Sequence, residues 1–475
     1  MPVKVVILGA GPAGLAAAYD LTRRGEAPVV LEGSAAVGGI SRTIRYKGYY
    51  FDLGGHRFFT LFDEVQALWE EVLGDAFLVR PRLSRIFYAG QFFDYPLRAT
   101  NAVRSLGVRE SVRCLASYAR ARRRPRGAER SFEEWVSNRF GDRLFDIFFR
   151  SYTEKVWGIP TSEIGPEWAS QRIKDLDLLG VVRDALSRPP FGLRARKTII
   201  PSLIETFHYP RTGPGLMYDT MRAKLEAAGG RVMLRHEAVR IEREGFVVKR
   251  VVAADAERRE TSWEAEHFLS SIPLTVLVRS LSPRPPEEVW AAAHALTFRN
   301  LVTVNLVVDH PNLFPDNWIY VHERGLRLGR VQNYKNWSPA MVPDPSKTSL
   351  GLEYFCSDAD DLWRMSDAEL IALGTAEMTR TGLLRGAPVI DAMVARVPKA
   401  YPVYRRGYEA PLATLVGYLR QFVNLQAMGR YGMFKYNNAD HSILTALLSV
   451  ENIYGARHDV WRVNTDTAYH EIRPR

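Results

Sequence analysis

Apolar and polar positions along this chain repeat with two different periods, and their order outlines its architecture. Val3 and then Val5–Leu8 form a short, unbroken apolar run, as a strand buried on both faces should. Residues 13–24 follow with helical spacing, and Gly25 is a fitting stop. Residues 29–31 read as a second buried strand ending on Glu32. Beyond residue 60, helical spacing dominates, over 61–73 and again over 97–120. Ser131 and Glu134 have capping-box spacing and open a helix toward Arg150. Residues 166–188 also read as helix, until "RPPFG" at 188–192 breaks the run. Gly213-Pro214-Gly215 precedes a helix over 216–228. Strand periodicity returns in "GGRVMLRHEAVRIERE" (229–244), continues over 246–272, and recurs several times over 296–356. Ser366 and Glu369 cap a further helix, and 423–455 reads as strand, glycine-rich turn and long helix.

Composition adds little to this picture except where it is local. With 475 residues, 46% hydrophobic and 25% charged, the chain has the size and balance of a multidomain globular protein. Its net charge of +11 favours anionic partners. Part of that charge is concentrated in "ARARRRPRGAER" (119–130), which reads as a solvated loop or helix end, with membrane-surface or nucleic-acid contact as the alternatives. No aromatics interleave there, so nucleic acid is not an expected partner. The two cysteines, Cys114 and Cys356, form no CxxC and no disulfide framework, which fits a reducing, cytoplasmic compartment. The apolar N-terminus contains a glycine turn and reads as fold, not as a targeting segment. No apolar run reaches the roughly 18 residues a membrane span needs.

The glycines carry the first chemistry. Gly9-Ala10-Gly11-Pro12-Ala13-Gly14 lies between strand and helix. Gly9 permits the tight turn, Gly11 lets backbone approach a pyrophosphate at the positive end of the helix, and Gly14 lets helix and strand pack closely. Glu32, followed by Gly33, stands 18 residues after Gly14, where an acid accepts hydrogen bonds from a ribose hydroxyl. The motif specifies a dinucleotide but not which one. A second glycine pair, Gly38 and Gly39, followed by Ser41 and Arg42, suits a second backbone approach to the same pyrophosphate. Gly54-Gly55-His56 follows soon after.

With these three stretches the sequence resembles the FAD-binding superfamily that includes amine oxidases, protoporphyrinogen oxidases and UDP-galactopyranose mutases. The resemblance implies FAD as cofactor. It also implies an α/β fold: a Rossmann-like FAD-binding domain of the GR2 type with an inserted mixed α+β substrate domain. The FAD-binding segments are expected at 1–90, 206–280 and 416–475, a helical substrate or lid segment at 91–205, and the substrate sheet at 281–415. By the same resemblance His56 lies near the flavin ring, while Val239, Gly429, Arg430, Asn438, Asp440 and Ser442 complete the cofactor site.

Four stretches narrow the resemblance to the mutases. "SYTEKVWGIPTSEIGPEWASQRIKD" (151–175) places Trp157 at the substrate and, about fifteen residues on, Arg172 as a diphosphate-gripping arginine. "YVHERGLRLGRVQNYKNW" (320–337) places a second such arginine at Arg330. "LGLEYFC" (350–356) brings Glu353 and the substrate-binding Tyr354. "GRYGMFKYNNADHSILTALLSVENI" (429–453) brings Tyr436 and Asn438 to the flavin–substrate junction. The implied reaction is a redox-neutral pyranose–furanose isomerisation of a nucleoside-diphosphate sugar. Reduced flavin N5 carries the covalent step, and His56, Arg172 and Arg330 assist. An external reductant such as NAD(P)H would keep the flavin reduced. The first 60 residues fit an FAD-dependent oxidoreductase acting on an amine, porphyrinogen-like or sugar substrate equally well. GxSxG, HExxH and paired CxxC motifs are missing. Asp358, Asp360 and Asp361 precede a capped helix and read as loop acids, not as a metal site. His441 and Asp440 are adjacent on a helix and so are not expected to face each other. Arg57 puts a charge where the compared mutases tend to be apolar.

Overall fold

The computed structural model describes residues 4–464 except 96, 98, 124, 126, 128 and 167–204. The expected helix over 166–188 lies almost wholly outside the described residues, and Arg172 does so entirely.

Five short parallel strands form the centre of the nucleotide domain, in the order Leu425–Ala427, His267–Ser270, Val5–Leu8, Val29–Glu32, Arg231–Leu234. The sheet gathers strands from all three expected FAD-binding segments. Its strands are apolar on both faces because both faces are covered. One face packs on the helices Pro12–Arg23, Gly215–Ala227 and Ala439–Ile453, through Leu15, Leu21, Met217, Met221 and Ile443. The other packs on the helices Leu274–Arg279, Glu287–Ala295 and Glu409–Leu419, with the small sheet around Glu237–Glu244 and Val247–Ala254. The stretches 281–296 and 403–419 therefore pack with the nucleotide domain, although the sequence reading placed them in the substrate part. An alternating or helical pattern shows that a face is buried, not against what.

The substrate domain is built on a mixed seven-stranded sheet. Its central strands are Phe298–Val308, Thr348–Cys356, Arg330–Asn333 and Trp318–Val321. The hairpin Ser84–Tyr88 and Gln91–Asp94 extends this sheet through a parallel pairing of Ser84–Tyr88 with Trp318–Val321. The first FAD-binding segment thus ends before Ser84, not at residue 90. That pairing spans more than two hundred residues of chain and has no local signature.

The helical segment departs from expectation at two glycines. The run over 97–120 is two helices, Ala99–Leu106 and Val108–Arg123, parted by Gly107 at φ 77°. The helix opened by Ser131 stops at Phe140 because Gly141 (φ 80°) lies against another backbone; a Cβ there would be 2.7 Å from the Ser117 carbonyl carbon. The chain then resumes as Asp142–Phe145, a π-helical turn Asp146–Arg150 and Ser151–Trp157. Only half of the capping box forms at Ser131. Its Oγ accepts from Glu134 N, but the Glu134 carboxylate accepts from Arg130 N. At Ser366 and Glu369 both halves are present.

A buried acid ties the domains together. Thr43 Oγ1 donates to Asp52 at 2.8 Å, Tyr209 OH donates to its other oxygen, and Tyr334 OH donates to its backbone carbonyl at 2.8 Å. Burial pushes the Asp52 carboxyl up to about 7 from an ordinary 3.8, against the two side-chain hydrogen bonds. A native value above the unfolded one means the folded protein keeps a proton that the unfolded chain has released between pH 4 and 7. The stability contributed by Asp52 therefore falls as pH rises through that window. Asp52→Asn removes the titration. The melting temperature of the variant minus that of the unsubstituted protein is expected to rise by a few degrees between pH 4 and 8; a difference constant with pH contradicts this.

Candidate functional site

A cavity of about 740 Å³ opens at the carboxyl ends of the parallel strands and continues to the seven-stranded sheet. That end of such a sheet is where a dinucleotide binds. Three glycine loops converge there on the first turn of the helix Pro12–Arg23. Gly9 turns at φ 93°. Gly14 is a packing glycine, since a Cβ on it would lie 1.8 Å from Gly9 O. Gly11 differs: a Cβ there would meet only Gly39 Cα, at 4.0 Å. Its side is open to the cavity and not filled by protein. Gly38 (φ 94°) donates its N–H to Ala10 O at 2.8 Å, which draws the second loop against the first. Gly429 closes the third side; its Cβ would lie 2.8 Å from Ala13 Cβ, and its N–H donates to Thr445 Oγ1.

The electrostatics suit an anion at this cradle. Neither Gly11 nor Asn438, which cap the helices Pro12–Arg23 and Ala439–Ile453, makes a side-chain cap hydrogen bond. Pro12, Ala13, Asn438, Asp440 and Ser442 at these two helix starts all line the cavity. Glu32 is fixed by backbone: Ala10 N donates to Oε2 at 2.7 Å and Ser34 N to Oε1 at 2.8 Å. Its carboxylate lines the cavity, as do Gly33, Gly39 and Ser41. Gly14, Gly38, Arg42 and Gly54 do not; they shape the loops behind it. Val239 is a correction. It stands at a bulge in Glu237–Glu244, so Ala238 and Glu237 border the cavity in its place. The open side of Gly11, two uncapped helix starts and the fixed acid fit a dinucleotide.

At the far end the loop with Gly54, Gly55 and His56 rests on the substrate sheet. A Cβ on Gly55 would lie 2.7 Å from Gln332 Nε2, and one on Gly54 would lie 3.6 Å from Glu353 Oε1. His56 is half-buried, with Nε2 3.1 Å from Leu53 O. Burial pushes its imidazole down to about 4, so the ring is neutral at pH 7. Donation to Leu53 O assigns the proton to Nε2 and leaves Nδ1 as acceptor.

Arg330 stands opposite Glu353 across neighbouring strands. Its Nε lies 3.0 Å from both carboxylate oxygens and its Nη2 also donates to Oε2. Gln332 Nε2 donates to the same carboxylate at 2.7 Å. Burial works to lower the Arg330 guanidinium, but Glu353, Tyr152 and Tyr401 more than offset it, so it is held well above its ordinary value. Arg430 donates to the carbonyls of Ala400 and Asn437, and its Cζ lies 4.0 Å over the Tyr436 ring. Arg57 lies 5.5 Å over Trp318, which accounts for the charge at this position in an aromatic wall.

Trp157 is buried and stacks on Tyr404 at 6.0 Å, beside Tyr436 and Tyr401. It lines the cavity as Tyr436 does. Lys155 holds this helix in place by donating to the carbonyls of Val321, Glu323 and Leu328. Tyr354 is a second correction. It lies on the opposite face from Glu353, buried in the core, with its OH donating to Glu377. Successive residues of a strand point to opposite faces, so Glu353 and Tyr354 cannot both face the site. His441 and Asp440 are a third: Nδ1 and Oδ1 approach to 3.0 Å, because two short side chains curl together in the first turn. Asp358 accepts from Asn300, Asp360 from Arg299 and Asp361 from Arg327. Among the described residues no group of three His, Cys, Asp or Glu is placed to hold a metal.

The sequence reading missed Tyr152, Trp318, Tyr320 and His322, all of which line the cavity. Tyr152 stacks on His322 at 4.9 Å and meets Tyr320 edge-on at 5.4 Å. The signal was available: positions 318, 320 and 322 alternate along one strand face, beside 330 and 332 on the next.

Residues 12–383 match the protein family described as flavin containing amine oxidoreductase. Among curated proteins, an L-amino-acid oxidase of Crotalus adamanteus is 54% identical over 56 residues, 12% of this chain and 11% of that protein. The putative flavin-containing monoamine oxidase AofH of Mycobacterium tuberculosis is 49% identical over 70 residues, 15% of each. The chain thus matches only a small part of the length of these relatives. Among solved structures, a reduced UDP-galactopyranose mutase superposes with TM-score 0.83 at 24% identity, covering 98% of both chains. A putative protoporphyrinogen oxidase from Exiguobacterium gives 0.70 at 18%, covering 95% and 99%. Putrescine oxidase bound to putrescine gives 0.61 at 16%, covering 96% and 100%.

The two glycines of the first turn separate cofactor binding from folding. Gly11→Ala is expected to fold with the melting temperature of the flavin-free protein but to retain flavin at least about tenfold more weakly. Gly14→Ala is expected to lower the yield of folded protein. Full flavin content in Gly11→Ala contradicts the assignment.

Proposed function

Because the chain belongs to the flavin containing amine oxidoreductase family and binds FAD, we propose that it is a flavoenzyme that isomerises the sugar of a nucleoside diphosphate between pyranose and furanose forms. The observation that carries the reading is the charge of the substrate end of the cavity. Arg57, Arg330, Lys399 and Arg430 line it. Among the described residues lining the cavity, the acids are Glu32, Glu237 and Asp440, and all three belong to the cofactor end. Glu353 is committed to Arg330 and Gln332. An anionic substrate finds donors here, and a cationic amine finds no uncommitted carboxylate among the described residues.

The residues divide the work by chemistry. Arg330 is pre-oriented by Glu353, so little side-chain entropy is lost when it meets a phosphate. Trp318, Tyr320 and Tyr152 offer flat faces for a base or sugar. His56, neutral and half-buried, presents an acceptor without adding charge next to the cofactor. Trp157, Tyr401 and Tyr436 exclude water from the junction. When bound in reduced form, FAD supplies a nucleophilic ring nitrogen, so the chain itself needs no nucleophile. A donor such as NAD(P)H would maintain that form. The TM-score of 0.83 to a reduced UDP-galactopyranose mutase supports the reading. The family match and the short matches to amino-acid and amine oxidases favour a second reading, an FAD-dependent oxidoreductase.

Holoenzyme reduced anaerobically with dithionite and given a panel of UDP-sugars is expected to convert at least one of them to its ring isomer, and oxidised enzyme none. Failure across the panel, with peroxide formed from an amine or amino acid, supports the oxidoreductase instead. Arg330→Lys keeps the charge and loses the fork; kcat/KM is expected to fall at least about tenfold. Unchanged kinetics in this variant remove Arg330 from substrate binding.

A further inference from the structure

The helix Val108–Arg123 turns a line of apolar side chains outward. A helix on a domain surface ordinarily turns apolar residues inward and polar ones to water. Here the buried positions are Ser111 and Cys114, while Val108, Val112 and Leu115 are 76%, 58% and 43% exposed. With the exposed Ala119 they stand at i, i+4, i+7 and i+11, one line along the outer face. Val103 on the preceding helix, 47% exposed, adds to the apolar surface. Beside this line run the exposed Arg109, Arg113 and Arg120, and Arg122 and Arg123 close the helix. Glu110 is the helix's one acid, and its carboxylate is engaged by Arg143 and Arg113. The outer face is therefore apolar and cationic together.

We infer that this face docks the protein on an anionic lipid bilayer, the helix lying in the plane of the headgroups. An apolar line flanked by arginines is the arrangement of interfacial helices, where side chains enter the acyl boundary and cations meet lipid phosphates. A two-fold contact with a second copy would cover the apolar line only by setting like arginines against each other. A nucleic acid would use the arginines and leave the apolar line in water. The helix has 16 residues, and among the described residues no helix is long and apolar enough to cross a membrane. Cys114 on its inner side packs in one cluster with Tyr95, Leu97 and Phe148, which also line the cavity, so the docked face lies behind the cavity wall.

The test uses the holoenzyme and sedimentation with phosphatidylcholine vesicles, with and without phosphatidylglycerol. Binding to the anionic vesicles is expected to exceed that to neutral ones by at least about tenfold and to weaken with salt. Val112→Asp with Leu115→Asp, and separately Arg109→Glu with Arg120→Glu, are each expected to reduce it by at least about tenfold with flavin content unchanged. Absence of binding to anionic vesicles overturns the inference. Binding lost in the arginine variant but intact in the aspartate variant overturns it in favour of a simple polyanion site, to be matched with duplex DNA. A dimer in sedimentation velocity that the aspartates dissociate, without vesicle binding, overturns it in favour of self-association.

Discussion

A fully buried carboxylate, that of Glu353, stands where the two domains meet, and the geometry of the site depends on it. It accepts from Arg330 and from Gln332, and the loop carrying Gly54 and Gly55 lies directly against this pair. A buried ion pair adds little net stability, but removing either partner leaves an uncompensated charge at a cost of about 3–5 kcal/mol. Glu353 therefore fixes position more than it stabilises. It holds a guanidinium in one orientation, on strands, in front of the cofactor cradle. It also offsets the cost of burying that guanidinium.

Around this pair the cavity separates into two electrical regions. At the cofactor end, two helix starts and backbone amides face an acid, Glu32, that is itself held by backbone N–H groups. At the far end, the charged groups among the described lining residues are cationic and the walls aromatic. The same fold serves oxidases and isomerases, so fold alone does not choose a reaction. The choice rests on which charge the second region complements. Tyr401 and Tyr436, stacked at 5.8 Å with Arg430 over both, close the boundary between the regions.

How much of this could be read in the sequence depended on distance along the chain. The first wall of the cofactor cradle is local: strand, glycines, helix and acid lie within 33 residues, and each glycine there has a distinct steric reason visible in the spacing. That Arg330 faces a cavity was legible from its stretch. The partner that orients it, Glu353, stands beside Tyr354 in the sequence, and only the two-residue period of a strand shows that one of the two must turn away. Gly141 reads as a helical residue until another helix is brought against it. Pairing of Ser84–Tyr88 with Trp318–Val321 and the bulge at Val239 leave no trace in composition or period. The helix Val108–Arg123 is visible as a run of arginines, but its outward valines and leucine become apparent only once its inner side is known.

The central claim, that the cavity in front of the cofactor receives an anion, is tested most directly by calorimetric titration of the holoenzyme with UDP and with a diamine. The account predicts that UDP binds, that its affinity falls with salt and in Arg330→Lys, and that the diamine gives no heat of binding. Saturable diamine binding with UDP silent would contradict it.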